Sequence, residues 1–309
     1  MKGLELAARY YEACGKEMLE KRFPELLPKI AIGLAGAGSE VLGYDDELSQ
    51  DHDFEPGFCI FLPSEDVVTR REAFLLERAY SALPEDFEGF RRNRLNPVGG
   101  NRHGVIRLAD FLEEHLGNAD GKLGVYEWLR LPEQYLLEVT GGRIFRDDSG
   151  FFTEIREQLS FFPEDLVKKK LAGNLLYAAQ AGQYNYERCL QHGEEGAAQL
   201  ALYDFVKAAM HCFFLLSGRY MPYYKWRFRA FSELPSYAKY QKDLELLITK
   251  GNRPEQLPVK RAIISKLLSA ILEDAGADTL DPGKAAYQLN DQIRDSGLRN
   301  LDILTGVQD

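Results

Sequence analysis

The chain has 309 residues, 45% of them hydrophobic and 28% charged, with a formal net charge of −10. That length holds one large or two ordinary domains with ample core, and the composition is that of a globular chain rather than a disordered or fibrous one. The acidic balance argues against nucleic acid as the main partner, because phosphate backbones are bound by basic surfaces.

Four cysteines, Cys14, Cys59, Cys189 and Cys212, are scattered without C-x-x-C spacing. Free and mostly buried thiols are expected. The N-terminus is charged and amphipathic and lacks the apolar core of a signal peptide. No apolar run approaches the length of a membrane span, since Met210 to Leu216 is interrupted by His211. A cytoplasmic protein with no membrane partner is the expectation.

In chain order, Gly3 to about Lys21 carries a helical stripe (Leu4, Ala7, Ala8, Tyr11, Leu19) closed by Pro24 and Pro28. Ile30 to Leu34 reads as a strand running into small residues and then Gly38-Ser39. After a spacer comes Asp51-His52-Asp53, followed by a second apolar run, Phe58 to Leu62. In a strand, residues i and i+2 share a face, so Asp51 and Asp53 are expected to converge at the start of this strand. Two convergent carboxylates suit Mg²⁺, a hard cation that takes oxygen ligands. Gly38 permits close backbone approach to a phosphate, and Ser39 offers a hydroxyl and an N–H.

Asp66 to Leu83 reads as a helix stopped by Pro84. Glu85 to Arg102, with Gly89, Pro97, Gly99 and Gly100, reads as a long loop of the kind that serves a site. His103 to Leu108 is a third strand and Asp110 to His115 a helix, with Asp110 as its cap and Gly117 as its stop. Leu123 to Val139 is helical, Gly141-Gly142 breaks it, and Arg143 to Phe145 adds an edge strand. The turn cluster Asp147 to Gly150 divides the chain into 1–150 and 151–309.

Beyond it the stripes are helical throughout: Leu166 to Ala181, Tyr184 to Gln191, Ala197 to Leu216, Tyr237 to Thr249, Val259 to Glu273 and Ala285 to Gly306. The predicted fold class is therefore α+β, a mixed sheet with helices followed by an all-α bundle. His115 and His192, near helix ends, read as surface residues, and His211, on an apolar helix, as a satisfied core histidine. Lys168-Lys169-Lys170 reads as a solvated helix face. The segment Arg219 to Trp226 crowds cations and aromatics around Pro222. It is either a capping turn packed on the bundle or a place for an anionic ligand with a ring.

The Gly-Ser turn, spacer and Asp-x-Asp resemble the signature of the polymerase-β-like nucleotidyltransferases, which include the kanamycin, streptomycin and lincosamide enzymes. His52 stands between the two Asp where that family usually has an apolar residue. The helical half resembles the C-terminal domain, of uncharacterised function, found in a bacterial subgroup of the family. The matching phrases are Arg219-Tyr220-x-Pro222-Tyr223-x-Lys225-Trp226, Lys170-Leu171-Ala172, Leu131-Pro132-Glu133-Gln134 and Glu138 to Phe145. Together they extend from about Gly33 to Leu234.

The resemblance implies a nucleotidyltransferase-like domain and transfer of a nucleoside monophosphate from a nucleoside triphosphate, ATP by expectation, to an acceptor hydroxyl. It implies Asp51 and Asp53 as catalytic Mg²⁺ ligands, Gly38 and Ser39 as phosphate contacts, and Lys170, Arg188, Tyr223 and Lys225 as nucleotide contacts. The acidic net charge tilts the acceptor toward a small molecule. Many members carry a third carboxylate on the strand matching Arg102 to Leu108, and this one has none. The base is then His103 or a carboxylate of the helical half, or the chain is a nucleotide-binding sensor that no longer transfers.

Overall fold

The computed structural model describes residues 1–47, 54–92 and 102–307. It is α+β, as the alternation of element types implied. Packing divides it into two compact units, residues 1–123 with 134–160, and residues 124–133 with 161–309. The expected divide at 150 falls within the first unit.

The first unit opens with α1 (Gly3–Tyr10) and α2 (Lys16–Arg22), joined without a break by one wide π turn, Tyr11–Gly15. β1 (Ala31–Leu34) leads through the Gly36–Gly38 turn into the short α3 (Ser39–Leu42), and β2 (Cys59–Leu62) follows. α4 (Arg70–Ser81) starts later than the apolar pattern suggested, because Thr69 and Glu72 form a reciprocal capping box there. Buried Arg92 closes its other end, donating to the carbonyls of Tyr80, Ser81 and Leu83, each at 3.0 Å.

The predicted loop 85–102 holds a small hairpin, β3 (Asp86–Phe87) and β4 (Phe90–Arg91). β5 (Gly104–Arg107) runs directly into α5 (Leu108–Leu116). Arg107 therefore sits at the N-cap and Asp110 falls in the first turn, so the expectation that Asp110 caps the helix is corrected. Pro132 splits the predicted 123–139 helix into α6 (Val125–Arg130), which belongs to the second unit, and α7 (Glu133–Thr140). β6 (Arg143–Asp147) and α8 (Phe151–Gln158) complete the unit.

The sheet order is β5-β2-β1-β6, with β1 antiparallel to both β2 and β6, and β2 parallel to β5. β2 is buried on both faces, which explains its unbroken apolar run. Phe58, Ile60 and Leu62 join Tyr10, Tyr11 and Tyr80 on one side, while Phe61 meets Phe111 and Phe152 on the other.

The second unit is built on α9 (Glu164–Ala179), which is buried on most sides. A π turn (Gln180–Asn185) joins it to α10 (Tyr186–Gln191). α11 (Glu195–Leu216), α12 (Tyr224–Ser232), α13 (Gln241–Thr249), α14 (Leu257–Asp274), α15 (Pro282–Asp291) and α16 (Ser296–Asn300) follow. α9 packs against α11, α15 and the Ile303–Gly306 turn. α11 is long and apolar enough to cross a membrane by length and composition, although 67% of that window is buried in the chain's own core.

The lysine run is not a solvated face. Lys169 and Lys170 are fully buried, and Lys169 donates to Asn290 Oδ1 (2.9 Å) and the Leu301 carbonyl (2.7 Å). Of the cysteines, Cys59 and Cys212 are buried, Cys14 and Cys189 are half-buried, and all four are free.

Candidate functional site

The strand pairing brings the glycine turn after β1 and the start of β2 to one end of the sheet. Gly33 pairs with Cys59, Cys59 with Gly104, and Leu34 with Arg143. The C-terminal end of β1 therefore lies beside the N-terminal ends of β2, β5 and β6. The turn after β1 uses two glycines in conformations that other residues rarely adopt, Gly36 at φ 108° and Gly38 at φ 142°.

A side chain at Gly38 would also collide with Arg102, whose Nη2 lies 2.2 Å from the position of a Cβ. Arg102 donates to the Ala37 carbonyl at 2.7 Å and pairs with Glu40. The turn is braced further by the Gly36 N–H donating to Glu138 O (2.8 Å). A glycine turn with exposed backbone and an adjacent guanidinium suits a phosphate.

Asp51, His52 and Asp53 lie outside the described residues. The chain reappears at Phe54 and enters β2 at Cys59, beside the glycine turn. Just before β5, His103 Nδ1 lies 3.3 Å from Glu55 Oε1, and both side chains are largely buried. Among the described residues, no group of three His, Cys, Asp or Glu side chains could hold a metal ion. The oxygen donors of Asp51 and Asp53, the metal ligands expected from the sequence, are of the right chemistry for Mg²⁺.

In the second unit the predicted phrases converge on Glu133. His211 Nε2 lies 2.5 Å from Glu133 Oε1, and the Met221 N–H donates to Oε2 at 2.6 Å. Lys170 Nζ is 3.9 Å from Oε1 and 4.6 Å from the centre of the Phe162 ring. The ammonium makes no hydrogen bond among the described residues. Burial pushes the Glu133 carboxyl up, but His211, Lys170 and the Met221 N–H outweigh it and hold it below the usual glutamate range. Burial depresses Lys170, with Glu133 opposing only in part. Tyr220, stacked edge-on to Phe162 at 5.0 Å, is raised by burial and by the Glu133 charge.

The remaining predicted contacts divide. Tyr223 is the N-cap of α12, so the crowded segment is the start of a helix rather than only the end of one. Tyr223 and Lys225 are exposed, and Lys225 Nζ lies over the Trp226 ring at 4.8 Å. Arg188 is exposed on α10 and bonds the Tyr184 hydroxyl at 3.1 Å, away from the Glu133 cluster. His211 is the satisfied core histidine expected. His115 is not a surface residue: it is buried, with Nδ1 2.8 Å from Phe111 O and Nε2 3.5 Å from Glu138 Oε2. Arg102 and Glu133 had no assigned role in the sequence reading. Their partners lie 62 and 78 residues away along the chain, beyond the reach of any local pattern.

A family model described as a domain of unknown function (DUF4037) matches residues 128–227. That span contains Glu133, Lys170, Arg188, His211, Tyr223 and Lys225. The crystal structure of a nucleotidyltransferase-like protein from Exiguobacterium sibiricum 255-15 is similar at 12% sequence identity, over 91% of this chain and 81% of its own. Its TM-score of 0.38 is too low for that likeness to carry an argument. No curated protein matches the chain.

Proposed function

We propose that the protein is a cytoplasmic, Mg²⁺-dependent nucleotidyltransferase that moves a nucleoside monophosphate from a nucleoside triphosphate to a hydroxyl of a small acceptor. The observation that supports it most is the strand register. The Gly36–Ser39 turn and the segment leaving Asp51-x-Asp53 meet at one end of the sheet. Gly38 and Ser39 cradle the triphosphate with backbone N–H groups, and Arg102 adds a guanidinium.

Mg²⁺ held by Asp51 and Asp53 would neutralise charge on the triphosphate and leaving pyrophosphate. The protein's own contribution is to hold the α-phosphate in line with the acceptor hydroxyl. Lys170, Arg188, Tyr223 and Lys225 are assigned to the nucleotide. Of these, Lys170 is fully buried beside the Glu133 carboxylate, and among the described residues its ammonium has no hydrogen-bond partner.

The test is incubation with α-labelled ATP, Mg²⁺ and a cell extract. Label should pass to a small product in the wild type and not in Asp53→Asn. A second reading, a nucleotide-binding sensor, is favoured by β5 and its flanks, which carry no acid between Arg102 and Leu108. Mg²⁺-dependent ATP binding without transfer of label to any fraction would select it.

A further inference from the structure

A groove of about 610 Å³ runs along β6 and α8, entirely within the first unit, and three arginines line it: Arg143, Arg146 and Arg156. Its volume is in the range of small-ligand sites. Two of its charges are already engaged. Arg146 forms a bidentate pair with Asp148, and the Asp147 carboxylate accepts from the N–H groups of Gly150, Phe152 and Thr153 and from the Thr153 hydroxyl.

That leaves Arg143 and Arg156 facing a single remaining carboxylate, Glu157, and neither forms an ion pair with it. Arg143 is exposed, its guanidinium over the Phe145 ring at 5.2 Å, with no acid partner among the described residues. Arg156 lies over the Phe152 ring, and its Nη2 donates to the carbonyls of Thr140 (2.6 Å) and Gly141 (2.7 Å). Its Nη1 is buried and has no hydrogen-bond partner among the described residues. Burial alone shifts this guanidinium, downward, with no carboxylate to offset it.

A buried guanidinium N–H without an acceptor calls for an acceptor from outside the chain. The Arg156 Nη1 group and the exposed Arg143 fork on the same groove match a planar or tetrahedral oxyanion. We propose that this groove is a binding site for an oxyanion-bearing small molecule, a phosphate or a carboxylate, held by Arg156 and Arg143. Its lining shares no residue with the Gly36–Ser39 turn, although Arg143, opposite Leu34, begins β6 at the same end of the sheet.

The test is calorimetric titration with pyrophosphate and, separately, citrate, in EDTA and at matched ionic strength. At least one should bind the wild type. Arg143→Ala should weaken that binding by about tenfold or more, the loss of one charge-assisted hydrogen bond, with an unchanged apo unfolding midpoint. Arg156→Lys, which keeps the charge but loses the fork, should weaken it as well. Binding of pyrophosphate alone names a phosphate ligand, and of citrate alone a carboxylate. Undiminished binding in Arg143→Ala, or none of either anion below about 10 mM, overturns the proposal.

Discussion

Two residues carry opposite kinds of strain. Gly38 holds the turn in a left-handed backbone conformation with Arg102 packed where a Cβ would be. Gly38→Ala should cost about 1–3 kcal/mol of stability in chemical denaturation and weaken ATP binding at the same time. Full stability in that variant would mean the turn has room to relax. Glu133 is the hub of a buried charge cluster. Glu133→Gln leaves buried Lys170 without its counter-ion and His211 without its carboxylate partner, and should cost about 3 kcal/mol.

The pH dependence has a definite sign. The folded Glu133 carboxyl sits below its unfolded value, so its contribution is complete above the unfolded carboxylate range and is lost as pH falls through the folded value. The stability gap between wild type and Glu133→Gln should be flat above about pH 5 and shrink below it. A gap that persists at the lowest pH still permitting folding would contradict this. Lys170→Met removes an ammonium that has no hydrogen-bond partner among the described residues and leaves Glu133 its two closest partners. Its apo unfolding midpoint should be equal or higher, whereas ATP affinity should fall if Lys170 serves the nucleotide. A less stable Lys170→Met would make the lysine structural.

At the scale of elements, β6 crowds β1 at Gly33. A Cβ at Gly33 would lie 2.5 Å from Arg143 O, where the β1–β6 register shifts. Gly33→Ala should cost about 1–3 kcal/mol by forcing β6 away, read as a lower denaturation midpoint. The sequence spoke clearly where one local signal dominated, as in the unbroken apolar run of β2 and the αL stop at Gly117. It misled where a long-range partner decided the outcome. Lys169 and Lys170 read as solvated because their charge is visible locally, whereas Asn290, Leu301 and Glu133 are not. His115 looked like a helix-end surface residue for the same reason, with Glu138 as its unseen partner.

For the whole molecule, the order of strands, then helices alone, was legible as α+β, and the two-residue hairpin strands were not, being too short to show a period. The Gly38-Ser39 and Asp51-x-Asp53 motifs were legible as spacing, while the sheet register that brings their flanks to one end required the structure. The most direct test of nucleotidyl transfer at that end is Mg²⁺-dependent ATP binding by titration calorimetry in wild type, Asp51→Asn and Asp53→Asn, with apo unfolding midpoints measured in parallel. Binding should be present in the wild type and abolished in both variants. Their apo midpoints should be unchanged or higher, because two close carboxylates repel without a metal. Undiminished binding in either variant, or a large loss of apo stability, would contradict the assignment of these carboxylates to the metal.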